Sequence, residues 1–177
     1  MADNKHRAVS ERHNAATSRG FRTAAGKFAT GITVVLVETP EEIHGITVNA
    51  FLSVSLNPPT LAVSIANHAR TRQLLDPMGT PFTVSVLAAD QKVLADAFAG
   101  SLDPSALPLP FERRTEGPVI RDAAAWFCCV RTEAWACRDH TIITGEVLAY
   151  AAYDRDPLLF YEGAYYQGIQ GPRQSRR

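Results

Sequence analysis

Apolar and polar positions alternate along much of this chain, and a helical period appears only in short stretches. Residues 32–37 form a β-branched run, closed by Thr39-Pro40-Glu41-Glu42, a proline-containing turn suited to a hairpin. Residues 43–51 read as the return strand. Residues 60–66 follow the breaker Asn57-Pro58-Pro59, and residues 81–88 alternate Phe82, Val84 and Val86 with Thr83, Ser85 and Leu87. Longer strand-like stretches lie at 124–135 and 141–150, and a short one at 158–161. Helical spacing places Phe21, Ala24, Ala25 and Phe28 on one face of a first helix, with Ser18 as N-cap and Gly31 as its stop. Residues 69–75 suit one or two helical turns. Residues 90–98 read as a short helix capped by Asp90, with Val93, Leu94, Ala97 and Phe98 inward. Gly100, Pro104, Pro108 and Pro110 make residues 100–110 a surface loop. Many strands with three short helices predict a predominantly β sandwich or barrel. One domain is expected over residues 18–170, with polar tails at 1–17 and 171–177.

The 177 residues suffice for a core without disulfides or structural metal, since a chain of this size buries roughly two-thirds of its unfolded surface. Eighteen basic residues balance eighteen acidic ones, so no electrostatic footprint for nucleic acid or an anionic membrane is present. The polar N-terminal stretch does not resemble a secretory signal, and no apolar run has membrane-spanning length. A soluble, cytoplasmic protein is expected. Cys128, Cys129, Cys137 and His140 are close in sequence, but adjacent strand residues face opposite ways, so Cys128 and Cys129 would not grip one ion together. Free thiols are the simpler reading. The G-x-S-x-G elbow, the P-loop, H-E-x-x-H and the G-x-G-x-x-G fingerprint are all missing, which disfavours the usual α/β route to nucleotide binding.

The segment from His44 to Pro59 departs from ordinary strand chemistry. Gly45 and Asn49 interrupt it, and Ala50 and Ser53 are small. Either an edge strand runs into a bulge here, or the backbone is left approachable for a ligand.

Gly26-Lys27-Phe28-Ala29-Thr30-Gly31-Ile32-Thr33-Val34-Val35, Gly45-Ile46-Thr47-Val48-Asn49-Ala50-Phe51 and Ser53-Val54-Ser55-Leu56-Asn57-Pro58-Pro59 resemble the short-chain flavin reductases. These are the flavin-reducing components of two-component flavin monooxygenases. Asp90-Gln91-Lys92-Val93-Leu94, Phe98-Ala99-Gly100, Asp139-His140-Thr141 with Gly145-Glu146-Val147, and Asp156-Pro157-Leu158-Leu159-Phe160-Tyr161 continue the resemblance in order, across roughly residues 20–168. It implies a split β-barrel that forms a homodimer, with FMN or FAD in a groove near the interface and NADH or NADPH as co-substrate. The implied activity is hydride transfer from nicotinamide to flavin, with reduced flavin passed to a partner monooxygenase. A non-catalytic flavin-binding or electron-carrier protein on the same barrel is the alternative. A pyridoxamine-phosphate-oxidase-like enzyme would need a basic phosphate cluster that the sequence lacks.

The resemblance also implies site residues. Thr47, Val48, Asn49 and Ala50 would run beside the flavin ring, where fixed backbone donors favour the negative charge left by hydride transfer. Ser64, Arg70 and Thr71 would hold the ribityl phosphate, a hydroxyl and a cation at the start of a short helix. On residue chemistry alone, Arg70 and Arg72 are equally solvated surface charges. Phe98 and Ala99 fall in a further cofactor-binding stretch. Asp139, His140 and Tyr166 would border the nicotinamide pocket, with His140 placing the nucleotide rather than moving a proton. Read alone, a histidine at a strand entry is a structural hydrogen-bonder. Arg138 stands where the family pattern has glycine before Asp-His. Either the turn is built differently here, or Arg138 adds positive charge near the dinucleotide phosphates.

Overall fold

The computed structural model of the chain describes residues 18–102 and 110–168. The tails expected at 1–17 and 171–177, and most of the loop expected at 100–110, lie outside the described residues. The elements run α1 (Ser18–Ala25), β1 (Thr30–Gly31), β2 (Thr33–Glu38), β3 (Ile43–Val48), β4 (Phe51–Leu56), β5 (Pro59–Ala66), α2 (Arg70–Leu74), β6 (Pro81–Val86) and α3 (Lys92–Phe98). They continue through β7 (Phe111–Arg114), β8 (Gly117–Ile120), β9 (Ala125–Cys137), β10 (His140–Ala152), β11 (Leu158–Tyr161) and β12 (Ala164–Gln167). Seven antiparallel strands make the main sheet, in the order β3-β2-β6-β9-β10-β5-β4. A small sheet, β1-β11-β12, and the hairpin β7-β8 complete the strands.

The main sheet curls. β3, at one edge, touches β5, which lies near the other edge, and α2 packs against both β2 and β3. The strands thereby enclose a core of Val35, Val37, Leu61, Ile65, Phe82, Val84, Cys129 and Ile143, plugged by Leu75. The two edge strands do not pair with each other, so this is a split rather than a closed barrel. β2 explains its own continuous apolar run. Val35 and Val37 face the barrel core, while Val34 and Leu36 face a second core with Leu87, Ala95, Phe98, Ile120 and Leu158. Two glycines permit this packing. A Cβ on Gly45 would stand 2.5 Å from the Phe98 ring, and one on Gly145 would stand 2.5 Å from Phe82 Cζ.

The structure differs from the sequence reading in four places. The strand expected over residues 43–51 is two strands, because Asn49 and Ala50 carry the chain from β3 at one edge to β4 at the other. The first helix ends at Ala25, and Phe28 follows in a turn whose N–H donates to the Ala25 carbonyl. α3 begins at Lys92 with Gln91 as N-cap, while both Asp90 carboxylate oxygens accept from Arg155. β7, β8 and β12 were not anticipated. β7 and β8 consist largely of charged residues, glycine and proline, which carry little strand signal.

Candidate functional site

Asn49 and Ala50 cross the split of the barrel, and this crossing sets the chemistry of the site. On one side Thr33 Oγ1 donates to the Val48 carbonyl at 2.8 Å. On the other, the Phe51 N–H donates to the Asn49 carbonyl and the Ser64 N–H to the Ala50 carbonyl. The Asn49 and Ala50 N–H groups donate to no group among the described residues. Exposed, unpaired backbone donors beside a methyl-sized side chain form a cradle that a flat polar ring edge can approach.

A cleft of about 700 Å³ opens at this crossing. Asn49, Ala50 and Ser64 line one wall with Ile142; Phe21, Arg22 and Phe28 from the α1 region, with Phe160 and Gly163 from the β11–β12 hairpin, line the other side. Its volume and mostly apolar lining with a few polar groups suit a cofactor-sized ligand. Phe21 and Phe28 are 72% and 78% exposed, so these rings lie open at the mouth rather than in the core.

The wall continues along β10. Ile142 pairs with Ser64, and two positions on, His140 pairs with Ala66. Residues two apart share a face, so His140 lies roughly 7 Å beyond Ile142 along the same wall. The His140 ring Nδ1 is 3.0 Å from Asp139 Oδ1. That hydrogen bond holds the Asp139 carboxyl below its ordinary range, and the Arg22 charge adds to the effect.

Between them, Arg138 and Asp139 form the two-residue turn joining β9 to β10. Arg138 takes φ +59°, so the turn keeps the left-handed residue that glycine would favour. For a side-chain-bearing residue this costs on the order of 1 kcal/mol.

Other expected site residues do not line this cleft. Thr47 Oγ1 donates to the Ala95 carbonyl at 2.8 Å, tying β3 to α3, and Val48 is buried in the barrel core. Phe98 is buried in the second core against Gly45 and Phe111, and Ala99 is the exposed C-cap of α3. Thr71 is 3% exposed, within α2. Arg70 is exposed and makes no ion pair among the described residues, whereas Arg72 donates to Thr141 Oγ1 and Asp76. Tyr166 stands on β12 beside Tyr161, off the cleft lining. The sequence reading missed Arg22, Ile142, Phe160 and Gly163. Only the apolar face proposed for the first helix hinted that this region had a partner.

Cys129 faces the barrel core, while Cys128 faces the opposite side with Val119 and Trp126, as adjacent strand residues should. Burial pushes their thiols up to about 11 for Cys128 and about 12 for Cys129. Among the described residues no helix is long and apolar enough to cross a membrane.

A mainly β split barrel with an open cleft at its seam is the architecture of a family of flavin-handling enzymes, and the chain belongs to it. The model of the flavin reductase like domain matches residues 25–168. The chain is 46% identical over 149 residues to the FMN reductase (NADH) SmoA of Agrobacterium fabrum, covering 84% of each protein. Flavin reductase PheA2 in its native state superposes with a TM-score of 0.81 at 42% identity, over 87% of this chain and 99% of that one. The styrene monooxygenase flavin reductase of Pseudomonas putida S12 gives a TM-score of 0.79 at 38% identity, over 86% and 98%.

Proposed function

We propose that this protein is an NAD(P)H:flavin oxidoreductase that reduces FMN or FAD in the seam cleft and supplies reduced flavin to a partner monooxygenase. The observation that carries the reading is that exposed Asn49 and Ala50, whose backbone N–H groups find no acceptor among the described residues, line a cofactor-sized cleft. The similar proteins support it through their names, which include an NADH-dependent FMN reductase and the flavin reductase of a styrene monooxygenase.

Flavin bound here would accept a hydride from reduced nicotinamide and, with one proton from solvent, leave as the two-electron-reduced form. Asn49 and Ala50 offer fixed donors to a polar ring edge, and the Ala50 methyl admits the ring close to the backbone. Ser64 adds a hydroxyl on the same wall, and Arg70 offers an uncommitted cation for phosphate. Asp139 engages Nδ1 of His140, leaving Nε2 for the nucleotide; these two residues place the nicotinamide over the cleft. The openness of the cleft suits a flavin that must leave after reduction.

The reading includes a homodimer and a cytoplasmic location. The exposed apolar side chains Leu52, Leu56, Trp135, Leu148 and Tyr150 on β4, β9 and β10 support a subunit contact beside the cleft. Two buried free thiols and an intracellular reductant suit the cytoplasm. The test is loss of the reduced nicotinamide's near-ultraviolet absorbance, with NADH or NADPH and FMN or FAD in turn. Turnover that requires catalytic amounts of protein and saturates in flavin is expected. Flavin binding without nucleotide oxidation would reject the reductase.

A further inference from the structure

The turn that presents Asp139 and His140 is held from outside its own hairpin. Asn67, the first residue after β5, donates from Nδ2 to the Arg138 carbonyl at 2.8 Å and from its backbone N–H to the Asp139 carbonyl at 2.9 Å. Its Oδ1 accepts from Thr141 Oγ1 at 2.8 Å. Thr141 is buried and also accepts from Arg72 Nε at 3.2 Å, and Arg72 Nη1 donates to Asp76 at 2.6 Å. One exposed amide thus uses both its donor and its acceptor on residues flanking Asp139 and His140, across a φ that a side chain disfavours.

We infer that Asn67 is a positioning residue for the nicotinamide nucleotide: it fixes the Arg138–Asp139 turn, and through it the orientation of the His140 ring. Two-residue hairpin turns with a left-handed first position are ordinarily secured by glycine. Here the turn carries arginine, and three hydrogen bonds with Asn67, two donated and one accepted, hold the conformation that the backbone alone would not favour. The clamp acts at one end of the cleft only. Asn49, Ala50 and Phe21 share no hydrogen bond with it among the described residues, so its loss is expected to reach the nucleotide more than the flavin contacts at the seam. The inference rests on the assignment of His140 to the nucleotide.

Three variants test it. Asn67→Ala keeps the backbone bond and removes both side-chain bonds. It is expected to raise KM for NADH or NADPH by about five- to tenfold, the scale of one lost positioning interaction, with kcat and the FMN dissociation constant within about twofold. In the Arg138→Gly background the same Asn67→Ala change is expected to raise KM by less than about twofold, because glycine holds the turn unaided. Asn67→Asp, which keeps an acceptor for Thr141 but turns a carboxylate oxygen toward the Arg138 carbonyl, is expected to behave like Asn67→Ala. Equal effects of Asn67→Ala in both backgrounds, or equal effects on flavin and nucleotide, would reduce Asn67 to a general structural role and overturn the proposal. His140→Ala separates this from the underlying assignment. If it leaves the nucleotide KM unchanged, the nicotinamide site is misplaced. If it raises KM while Asn67→Ala does not, the clamp alone is refuted.

Discussion

Gly145 is one of two places where the sheet packs too tightly for a side chain, and Gly145→Ala measures how tight. The residue lies in β10 opposite Leu61 of β5 and Arg131 of β9. A Cβ there would stand 2.5 Å from Phe82 Cζ, 2.6 Å from Phe82 Cε1 and 3.0 Å from Cys129 Cβ. Carbon atoms rest at about 3.5–4.0 Å, so the ring must retreat by about 1 Å through a close-packed interior. Overpacking of this kind costs about 1–3 kcal/mol, offset by about 0.4–1 kcal/mol because alanine restricts the unfolded chain. The net loss is roughly 0–2.6 kcal/mol, centred near 1.3, at about 2–4 °C of Tm per kcal/mol for a chain of this size. Leucine lacks the Cε1 and Cζ atoms that clash. Phe82→Leu should itself cost roughly 1–2 kcal/mol of lost burial. Adding Gly145→Ala to it should then cost little more, giving a coupling energy of roughly 1–2 kcal/mol. The contact with Cys129 keeps the recovery incomplete. Urea unfolding of the parent, both single variants and the double, followed by tryptophan fluorescence, reads the cycle. A Gly145→Ala protein as stable as the parent, or one equally damaged in both backgrounds, refutes the packing argument.

Ala50→Leu should fill the floor of the cleft and raise the flavin KM by at least about tenfold, equivalent to about 1.4 kcal/mol, with Tm unmoved because position 50 is exposed; flavin titration and a melt check both halves. His140→Ala should raise the NAD(P)H KM severalfold and leave flavin affinity unchanged, as read by steady-state kinetics and flavin fluorescence. Iodoacetamide on the native protein should label exposed Cys137 and spare buried Cys128 and Cys129, as mass spectrometry of digests would show. Those two thiols ionise near 9.0 when unfolded and near 11 and 12 when folded. The unfolded chain therefore releases protons first, and stability should fall as pH rises from about 9 through the folded values. Replacing Cys129 with serine should flatten that fall in urea titrations across the range.

Strand content and the opposed directions of Cys128 and Cys129 were legible because side-chain alternation is a local property of the chain. Asn49 and Ala50 were legible as an interruption, and the resemblance to flavin reductases attached a ligand to it. Why they interrupt was not, since leaving one sheet edge and entering the other is a property of strand order. Thr47, Val48 and Phe98 sit in matching motifs, yet their side chains serve the junction of β3 with α3 and the two cores. A motif marks a neighbourhood without saying which way each side chain points.

By itself, the sequence determined the fold class and the placement of most strands, and it marked the interruption at Asn49 and Ala50. Those follow from short-range pattern, from small residues in a strand and from resemblance in register. The tertiary structure alone decided which residues meet across the cleft. Arg22 with Ile142, Phe160 with Ala50 on the cleft lining, and Asn67 across from Arg138 are each brought together from separate elements. Such contacts depend on how the sheet curls and where its edges stop, and no local window of residues contains that information.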